Sequence, residues 1–321
     1  MKIAITGANG FVGSALLKHF AANDHQAIAL IRPSAQKPIT NQELRIVDYD
    51  DRQSLLKALS GVDVLVHNAG KTKTLQHQEM LTANLGLTRN VLDAVNSLPT
   101  PIHLIYISSQ AASRPSNINE PVSEDEVPQP ITSYGKSKAW AERLIREECQ
   151  QAYTIVRPCS IYGPGDRDFL QLFKLCRFGL GMQIGAKERQ VNMIHVQQLA
   201  DFLLLVAANP KAYQQVFFAT DNQVYTQAYI AASICKVMGK HHRQIIVPET
   251  VARQVFGISD MMARLRGKAA TLNLEKLAEI LAEAWLANPE KARQVLAWDP
   301  APRFEELIME TYQWYVQESW L

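Results

Sequence analysis

The stretch Ile3-Ala-Ile-Thr-Gly-Ala-Asn-Gly-Phe-Val-Gly13 joins a short apolar strand pattern to a glycine-rich turn and then to a helix. Gly7 permits a tight turn, Gly10 lets backbone N–H groups approach an anion closely, and Gly13 lets the helix lie against the sheet. The N-terminus of the helix then faces the anion. The spacing is G-x-x-G-x-x-G instead of G-x-G-x-x-G, so the turn alone is weak evidence for a dinucleotide site.

The composition bounds the class of protein. A chain of 321 residues predicts one large α/β domain with a smaller second lobe. Lys and Arg total 33 against 31 Asp and Glu, with no basic block, so nucleic acid is not predicted as a partner. The four widely spaced cysteines indicate reduced thiols, with no disulfide and no bound metal. Because we find neither a spanning apolar run nor a signal pattern, we expect a soluble, cytoplasmic protein with no membrane partner.

Strand-like and helix-like runs alternate through the first two-thirds of the chain, which predicts parallel strands with crossover helices. The predicted strands are 2–6, 26–31, 44–47, 62–67, 102–108, 154–157 and 216–219. Several are nearly continuous apolar runs, which is typical of a sheet covered on both faces. Ligands of such folds bind at the carboxyl ends of the strands.

Two other regions have a distinct character. Residues 112–132 are rich in Ser, Asn, Glu and Pro, and they predict a long surface loop that rims the site. After about Thr226 the pattern favours helices, including one at 273–285 and a last one with an apolar stripe. That stripe consists of Phe304, Leu307, Ile308, Thr311 and Tyr315.

Tyr134-Gly-Lys-Ser-Lys138 places a tyrosine and a lysine on one face of a predicted helix, and Ser109 precedes it at the end of a strand. A nearby ammonium favours the phenolate and lowers the pKa of a tyrosine, which makes it a usable acid or base. Ser109 could donate to the same substrate oxygen. On spacing alone, however, a chance pattern with a solvated lysine is the more frequent explanation.

Five motifs in order resemble the extended short-chain dehydrogenase/reductase family, also called the NAD-dependent epimerase/dehydratase family. They are Thr6–Gly13, Ile107–Ser109, Tyr134–Lys138, Arg157–Gly165 and Ile194–Ala200, and residues 285–315 resemble the usual ending of the family. The resemblance implies an α/β fold with a Rossmann doubly wound parallel sheet and a smaller, mostly helical C-terminal substrate lobe. Residues 1–160 and 196–225 would form the dinucleotide-binding domain, and 161–195 and 226–321 the substrate-binding lobe. A homodimer through the helices around 82–98 and Tyr134 is also implied.

The resemblance also implies roles for individual residues. Tyr134 would transfer a proton, Lys138 would lower its pKa and bind the nicotinamide ribose, and Ser109 would hold the reacting oxygen. Asn84 resembles a motif asparagine near the active site, although a buried helix amide is nearly as good an explanation. The implied cofactor-binding residues are Gly7, Asn9, Gly10, Phe11, Val12, Gly13, Arg32, Asp48, Ala69, Gly70, Lys138 and Pro158. His195 is expected to be structural.

The end of the second strand bears on cofactor preference. NAD-preferring members carry an acid there that binds the ribose hydroxyls. This chain has Ile31 followed by Arg32, and a guanidinium could pair with a 2′-phosphate. Arg32 could also be a surface cation stacked over the adenine. The sequence therefore predicts NADP, with NAD possible.

Departures from the family pattern bear on the substrate. Sugar-nucleotide enzymes of the family usually carry an asparagine and an arginine for the diphosphate, where this chain has Ser160 and Val191. Arg167, Lys187 or Arg189 could substitute for them. We therefore predict an NADP-dependent carbonyl reductase or alcohol dehydrogenase, similar to dihydroflavonol reductases and hydroxysteroid dehydrogenases, acting on a small-molecule substrate. The alternatives are a nucleotide-sugar epimerase or dehydratase, and a non-catalytic NAD(P)-binding regulatory protein.

Overall fold

The computed structural model describes residues 1–35, 41–74, 77–267, 270 and 272–321. The first half of the chain contains β1 (Lys2–Thr6), α1 (Phe11–Ala22), β2 (Gln26–Ile31), β3 (Glu43–Ile46), α2 (Arg52–Leu59), β4 (Val64–His67), α3 (His77–Asn96), β5 (His103–Ile107), α4 (Ser133–Glu148) and β6 (Ala152–Pro158). A short 3-10 helix covers Gln110–Ala112.

The second half continues with β7 (Ser160–Tyr162), α5 (Leu170–Cys176), β8 (Leu180–Ile184), β9 (Gln190–Val191), β10 (Met193–His195), α6 (Val196–Ala208), β11 (Gln215–Ala219), β12 (Tyr225–Thr226) and α7 (Gln227–Val237). It ends with β13 (Arg243–Val247), α8 (Glu249–Leu265), α9 (Leu274–Leu281), β14 (Ala284–Trp285), α10 (Glu290–Leu296) and α11 (Phe304–Gln317).

Seven parallel strands form the main sheet in the order β11-β6-β5-β4-β1-β2-β3. The order reverses between β1 and β4, so the crevice for a ligand lies beyond the carboxyl ends of these two strands. The predicted doubly wound sheet is confirmed, and each of the seven predicted strands agrees with an observed one to within two residues at either end.

Apolar side chains on the two faces of the sheet build two separate cores. Ile3 and Ile5 belong to the core under α1 and α6, whereas Ala4 between them belongs to the core under α3 and α4. Successive strand residues point to opposite faces, so a continuous apolar run is what a sheet covered on both sides requires.

The C-terminal part combines helices with three small sheets, made by β7 with β10, by β12, β9 and β14, and by β8 with β13. The helix predicted at 273–285 is wrong in its second half, because α9 ends at Leu281. Trp285 instead belongs to β14, where its register partner is Val191 of β9. Its indole Nε1 donates to the Glu279 carbonyl at 2.9 Å. The stripe predicted for the last helix is confirmed, since its five residues are buried on α11.

The segment 113–132 contains no helix or long strand, as predicted, but part of it is buried. The Ser116 and Val122 amides donate to the carbonyls of Ala284 and Leu286, each at 2.9 Å. Val122 and Glu124 are closed to solvent. The segment is therefore attached to the strand β14 and is not wholly a surface loop.

A buried ion pair attaches helix α4 to strand β6. The Arg157 guanidinium donates from Nε and Nη2 to the two carboxylate oxygens of Glu142 at 2.9 and 2.7 Å, and Ser108 Oγ donates to Glu142 Oε1 at 2.5 Å. Glu142 and Arg157 are 1% and 0% exposed. Removing one member of such a pair leaves the other charge buried and uncompensated.

Glu142→Gln should therefore lower the free energy of unfolding by about 3 kcal/mol. Glu147→Gln on the same helix is the matched control, because its partner Arg143 is 77% exposed. It should cost less than about 1 kcal/mol. Urea unfolding followed by circular dichroism measures both, and equal losses in the two variants would contradict the assignment.

Candidate active site

Two glycines at the turn after β1 lie where a side chain would collide with the backbone. Gly7 has a φ of +67°, and a Cβ at this residue would lie 3.0 Å from the backbone of Ala69 in the turn after β4. A Cβ at Gly13 would lie 2.2 Å from the Gly7 carbonyl oxygen, closer than any packing allows. The two turns and helix α1 are therefore in direct backbone contact.

Helix α1 begins directly after this turn, with Gly10 as an N-cap that supplies no side-chain hydrogen bond. Asn9 and Gly10 are exposed, and Phe11 and Val12 are partly buried. Backbone N–H groups at a helix N-terminus without a side-chain cap suit a phosphate. Together with the cradle that a Cβ would fill at Gly7 and Gly13, the turn fits the pyrophosphate of a dinucleotide.

Hydrogen bonds connect the ends of β1 and β4 to the site. Thr6 Oγ1 accepts from the amides of Asn68 and Ala69 at 3.0 and 2.9 Å and lies 2.9 Å from His67 Nδ1. His67 Nε2 lies 3.2 Å from Thr88 Oγ1. Burial, followed by the charge of Lys138, lowers the pKa of His67 to about 3. The ring is therefore neutral and serves as a fixed bridge.

Asn84 on α3 lies at the centre of this region. Its side chain donates to the Lys71 carbonyl and to Ser137 Oγ, each at 2.9 Å, and accepts from the Lys71 amide at 2.7 Å. A Cβ at Gly70 would lie 3.1 Å from Asn84 Oδ1. Asn84 thus holds the segment after β4 against α4, as a buried helix amide does.

Ser109 and Tyr134 come together at the carboxyl end of β5. Burial raises the pKa of Tyr134 to about 12, against the opposing effect of a hydrogen bond with Ser109, and the charge of Glu279 raises it further. The sequence predicted a lowered pKa. That prediction is wrong, because desolvation of the phenolate outweighs the hydrogen bond with Ser109. The phenol is protonated at neutral pH.

Lys138 lies one helical turn after Tyr134 and is 4% exposed. Its Nζ donates to the Ile107 carbonyl at 2.8 Å and lies 4.8 Å from the centre of the Tyr106 ring. Burial lowers the pKa of Lys138 to about 8, while the charge of Glu142 acts in the opposite direction. Nζ is also 3.7 Å from the position of a Gly70 Cβ, so Lys138 reaches the same crevice as the glycine turns.

Two acids that the sequence analysis missed contact the start of α4, the helix that carries Tyr134 and Lys138. Glu275 Oε1 accepts from the Ser133 amide and hydroxyl at 3.1 and 2.7 Å, at the first turn of α4. Glu279 Oε1 accepts from Thr132 Oγ1 at 3.4 Å. Both acids lie on α9, about 140 residues later in the chain. Two acids four residues apart are common on exposed helices, so their spacing did not indicate a contact with α4.

Arg32 and Asp48 lie beyond β2 and β3, on the other side of the glycine turn. Both are exposed, and the Arg32 guanidinium lies 5.7 Å from the centre of the Tyr49 ring. Tyr49 is buried, and its hydroxyl donates to the Leu30 carbonyl at 3.2 Å. The Arg32 guanidinium therefore lies over a buried aromatic ring, and its charge remains exposed to solvent.

Of the three cations considered as substitutes for a diphosphate clamp, Arg189 is bound internally. Its Nη1 donates to the carbonyls of Ile184 and Lys187, and its Nη2 lies 3.2 Å from Glu249 Oε1. Lys187 lies 3.9 Å from Glu283, and the Arg167 guanidinium lies 5.3 Å from the Trp320 ring centre. Pro158 ends β6, and Ser160 follows it with an exposed side chain.

His195 is structural, as predicted. It is fully buried and caps α6, where its Nδ1 accepts from the Gln197 amide at 3.4 Å. Burial lowers the pKa of His195 to about 4.

The order of the motifs along the chain and their meeting at the β1–β4 crevice agree with a family model that matches residues 3–218. The chain belongs to the NAD-dependent epimerase/dehydratase family. It is accordingly an NAD(P)-dependent enzyme of the extended short-chain dehydrogenase type. The family contains both oxidoreductases and epimerases.

Three comparisons illustrate this range. The chain is 26% identical over 322 residues to a ceramide reductase of Caulobacter vibrioides, covering 99% of this chain and 96% of that protein. It is 24% identical over 332 residues to a UDP-glucose 4-epimerase of Vibrio cholerae, with coverage of 99% and 96%. The structure of dTDP-glucose 4,6-dehydratase from Bacillus anthracis in complex with NAD superposes with a TM-score of 0.78 at 18% identity, covering 100% of this chain and 98% of that one.

The low pKa of Lys138 predicts a pH-dependent stability. Between about pH 8 and its ordinary value of 10.5, the unfolded chain keeps a proton on this lysine that the folded protein releases. The contribution of Lys138 to stability therefore rises with pH across this window, by at most about 3 kcal/mol. Lys138→Met should remove the rise, whereas Lys136→Met at an exposed position of the same helix should keep it. Urea unfolding at pH 7.5, 8.5 and 9.5 measures this, and parallel pH profiles for all three proteins would contradict the assignment.

Proposed function

We propose that the protein is an NADP-dependent carbonyl reductase or alcohol dehydrogenase in which Ser109, Tyr134 and Lys138 carry out the proton chemistry. The observation that carries the proposal is the hydrogen bond between Tyr134 and Ser109, on the helix that also carries the buried Lys138. Because burial keeps the phenol protonated, the group is prepared to donate a proton, which is the requirement of carbonyl reduction.

The residues divide the work as follows. A bound nicotinamide cofactor supplies the hydride. Ser109 donates a hydrogen bond to the substrate carbonyl oxygen, which orients it and favours negative charge on it. Tyr134 transfers its phenolic proton to that oxygen. The Lys138 ammonium, positioned by the Ile107 carbonyl, stabilises the phenolate that results. Asn84 keeps the segment after β4 in place beside them.

Features around the site favour a substrate of low negative charge. Glu279 raises the pKa of Tyr134 through its charge, so an anionic group beside the tyrosine would be repelled. Arg189 is occupied by two carbonyls and Glu249 and would have to break these bonds to bind a diphosphate. The likeness to a ceramide reductase supports a lipophilic ketone or alcohol.

Arg32 supports NADP as the preferred cofactor. Its exposed guanidinium stands at the end of β2, where it can pair with a 2′-phosphate, and Tyr49 supports it from below. Asp48 would contact the adenine, and the glycine turn with Asn9, Phe11 and Val12 would hold the pyrophosphate. Ala69, Gly70 and Pro158 would flank the ribose and nicotinamide.

The proposed division of the chain follows the sheet. Strand β11 joins β6 in the main sheet, which supports assigning 196–225 to the dinucleotide-binding domain together with 1–160. Residues 161–195 and 226–321 would then form the substrate lobe. We also propose a homodimer through α3 and α4, where Trp140 is 53% exposed on the outer face of α4.

Tyr134→Phe should abolish turnover while NADPH still binds. Consumption of NADPH against a panel of lipophilic ketones is measured for both proteins, and cofactor affinity is measured by fluorescence titration. We expect at least a 100-fold loss of kcat with an unchanged Kd. Full activity of the variant would contradict the role of Tyr134.

The same panel separates reduction from epimerisation. UDP-, GDP- and dTDP-sugars are added and the products are followed by mass spectrometry. Conversion of a nucleotide sugar without net NADPH consumption would overturn the reductase proposal in favour of an epimerase or dehydratase. Absence of turnover on every substrate would favour the non-catalytic alternative for this chain.

Arg32→Glu should invert cofactor preference, because a carboxylate repels the 2′-phosphate and can bind the ribose hydroxyls. We expect the Kd for NADPH to rise roughly 100-fold, since a charge-assisted pair is lost and a repulsion is added. Arg143→Glu, at an exposed position far from the cradle, is the matched control. Tighter binding of NADH than NADPH by the unmodified protein would refute the preference.

A further inference from the structure

Helix α8 carries an apolar stripe that remains exposed in the part of the chain that the structure describes. The stripe comprises Val251, Val255, Ile258, Met262 and Leu265, which recur at alternating spacings of four and three residues. Their side chains are between 43% and 81% exposed. The adjoining face of the same helix is buried, because Ala252 and Phe256 pack against Leu277 of α9. The α8 stripe is therefore an exposed apolar surface, separate from the face of α8 that packs against α9.

The apolar surface extends onto the ribbon formed by β8 and β13. Met182 and Ile245 are register partners and are 51% and 41% exposed. They share one face of the ribbon with Ile184 and Val247, because side chains alternate along a strand. Ile184 and Val247 in turn contact the α8 cluster. Neighbouring exposed apolar residues on two elements are typical of an interaction site.

The charge of the sequence segment that contains α8 points to the kind of partner. Residues 240–268 contain six Lys or Arg residues against two acids, whereas the whole chain has a formal net charge of only +2. One of the two acids, Glu249, is paired with Arg189. An apolar stripe in a strongly basic segment is typical of helices that lie on anionic membrane surfaces.

A second copy of the chain is the alternative partner for the α8 stripe. The four-and-three spacing of the α8 stripe would suit a helix seam. Two copies meeting on this face would, however, bring two basic segments together, and this like-charge approach is unfavourable. An anionic bilayer removes this cost and attracts the same cations. The charges therefore favour the bilayer.

We propose that the α8 stripe docks this enzyme on the surface of an anionic lipid bilayer, with α8 lying in the plane of the interface. Among the described residues no helix is long and apolar enough to cross a membrane, so the contact is peripheral. Because α8 packs on α9, and α9 contacts the first turn of α4, docking brings Tyr134 within one helix layer of the lipid. The sequence analysis expected no membrane partner, because it considered only spanning segments.

Vesicle flotation tests the proposal. The full-length protein is mixed with vesicles of phosphatidylcholine alone or of phosphatidylcholine and phosphatidylglycerol at a ratio of about 7:3, where each cation near the surface adds about 1 kcal/mol of attraction. We expect it to float with the anionic vesicles, less with the neutral ones, and less as salt is added. Val255→Glu with Ile258→Glu should lower the partition coefficient roughly tenfold or more. Arg266→Gln should lower it roughly fivefold.

Val316→Glu on α11 is the matched control, because Val316 is an exposed apolar residue of a helix, 47% exposed against 55% for Ile258. It should float like the unmodified protein. Failure of the unmodified protein to float with either vesicle overturns the proposal. Light scattering without lipid tests the second occupant: a dimer that the double substitution dissociates overturns the proposal in favour of a second copy. Neither readout depends on the reaction that the enzyme catalyses.

Discussion

A buried ion pair between Glu142 and Arg157, made through two hydrogen bonds, holds helix α4 on the sheet. Tyr134 and Lys138 lie on the same helix as Glu142, and Ser108, which donates to its carboxylate, is the neighbour of Ser109. One buried contact thus fixes the helix and the end of β5 relative to each other. The pair serves mainly to align α4 with the sheet, because the cost of desolvating two buried charges offsets much of their attraction.

Much of the fold could be predicted because its signals are local. Nearly continuous apolar runs predicted the seven strands, and the motifs Ile107–Ser109 and Tyr134–Lys138 predicted that Ser109 and Tyr134 lie near each other, which their hydrogen bond bears out. The missed features depend on contacts distant in sequence. Glu275 and Glu279 contact the start of α4 only in the folded chain. The end of α9 at Leu281 depends on pairing of Trp285 with Val191, and the raised pKa of Tyr134 depends on burial that no motif encodes.

The crevice is electrostatically asymmetric along its length. Arg32 offers a positive charge to solvent at one end, whereas Glu279 borders Tyr134 at the other. Between them, the uncapped start of α1 offers backbone N–H groups, and Lys138 is buried under Gly70. Such an arrangement suits a polyanionic cofactor lying with its nicotinamide end toward a substrate of little negative charge, because each part meets the field that it complements.

The contact between Glu275 and the start of α4 has a consequence for biosynthesis. Ser133 and Tyr134 leave the ribosome long before the carboxylate that accepts from the Ser133 amide, and β11 completes the main sheet in between. Domains fold as units while the chain is made. The first turn of α4 therefore gains its hydrogen bonds to Glu275 only after about 140 further residues have been made. A nascent chain can form the glycine turn after β1 early, yet the start of α4 lacks this contact until α9 has emerged.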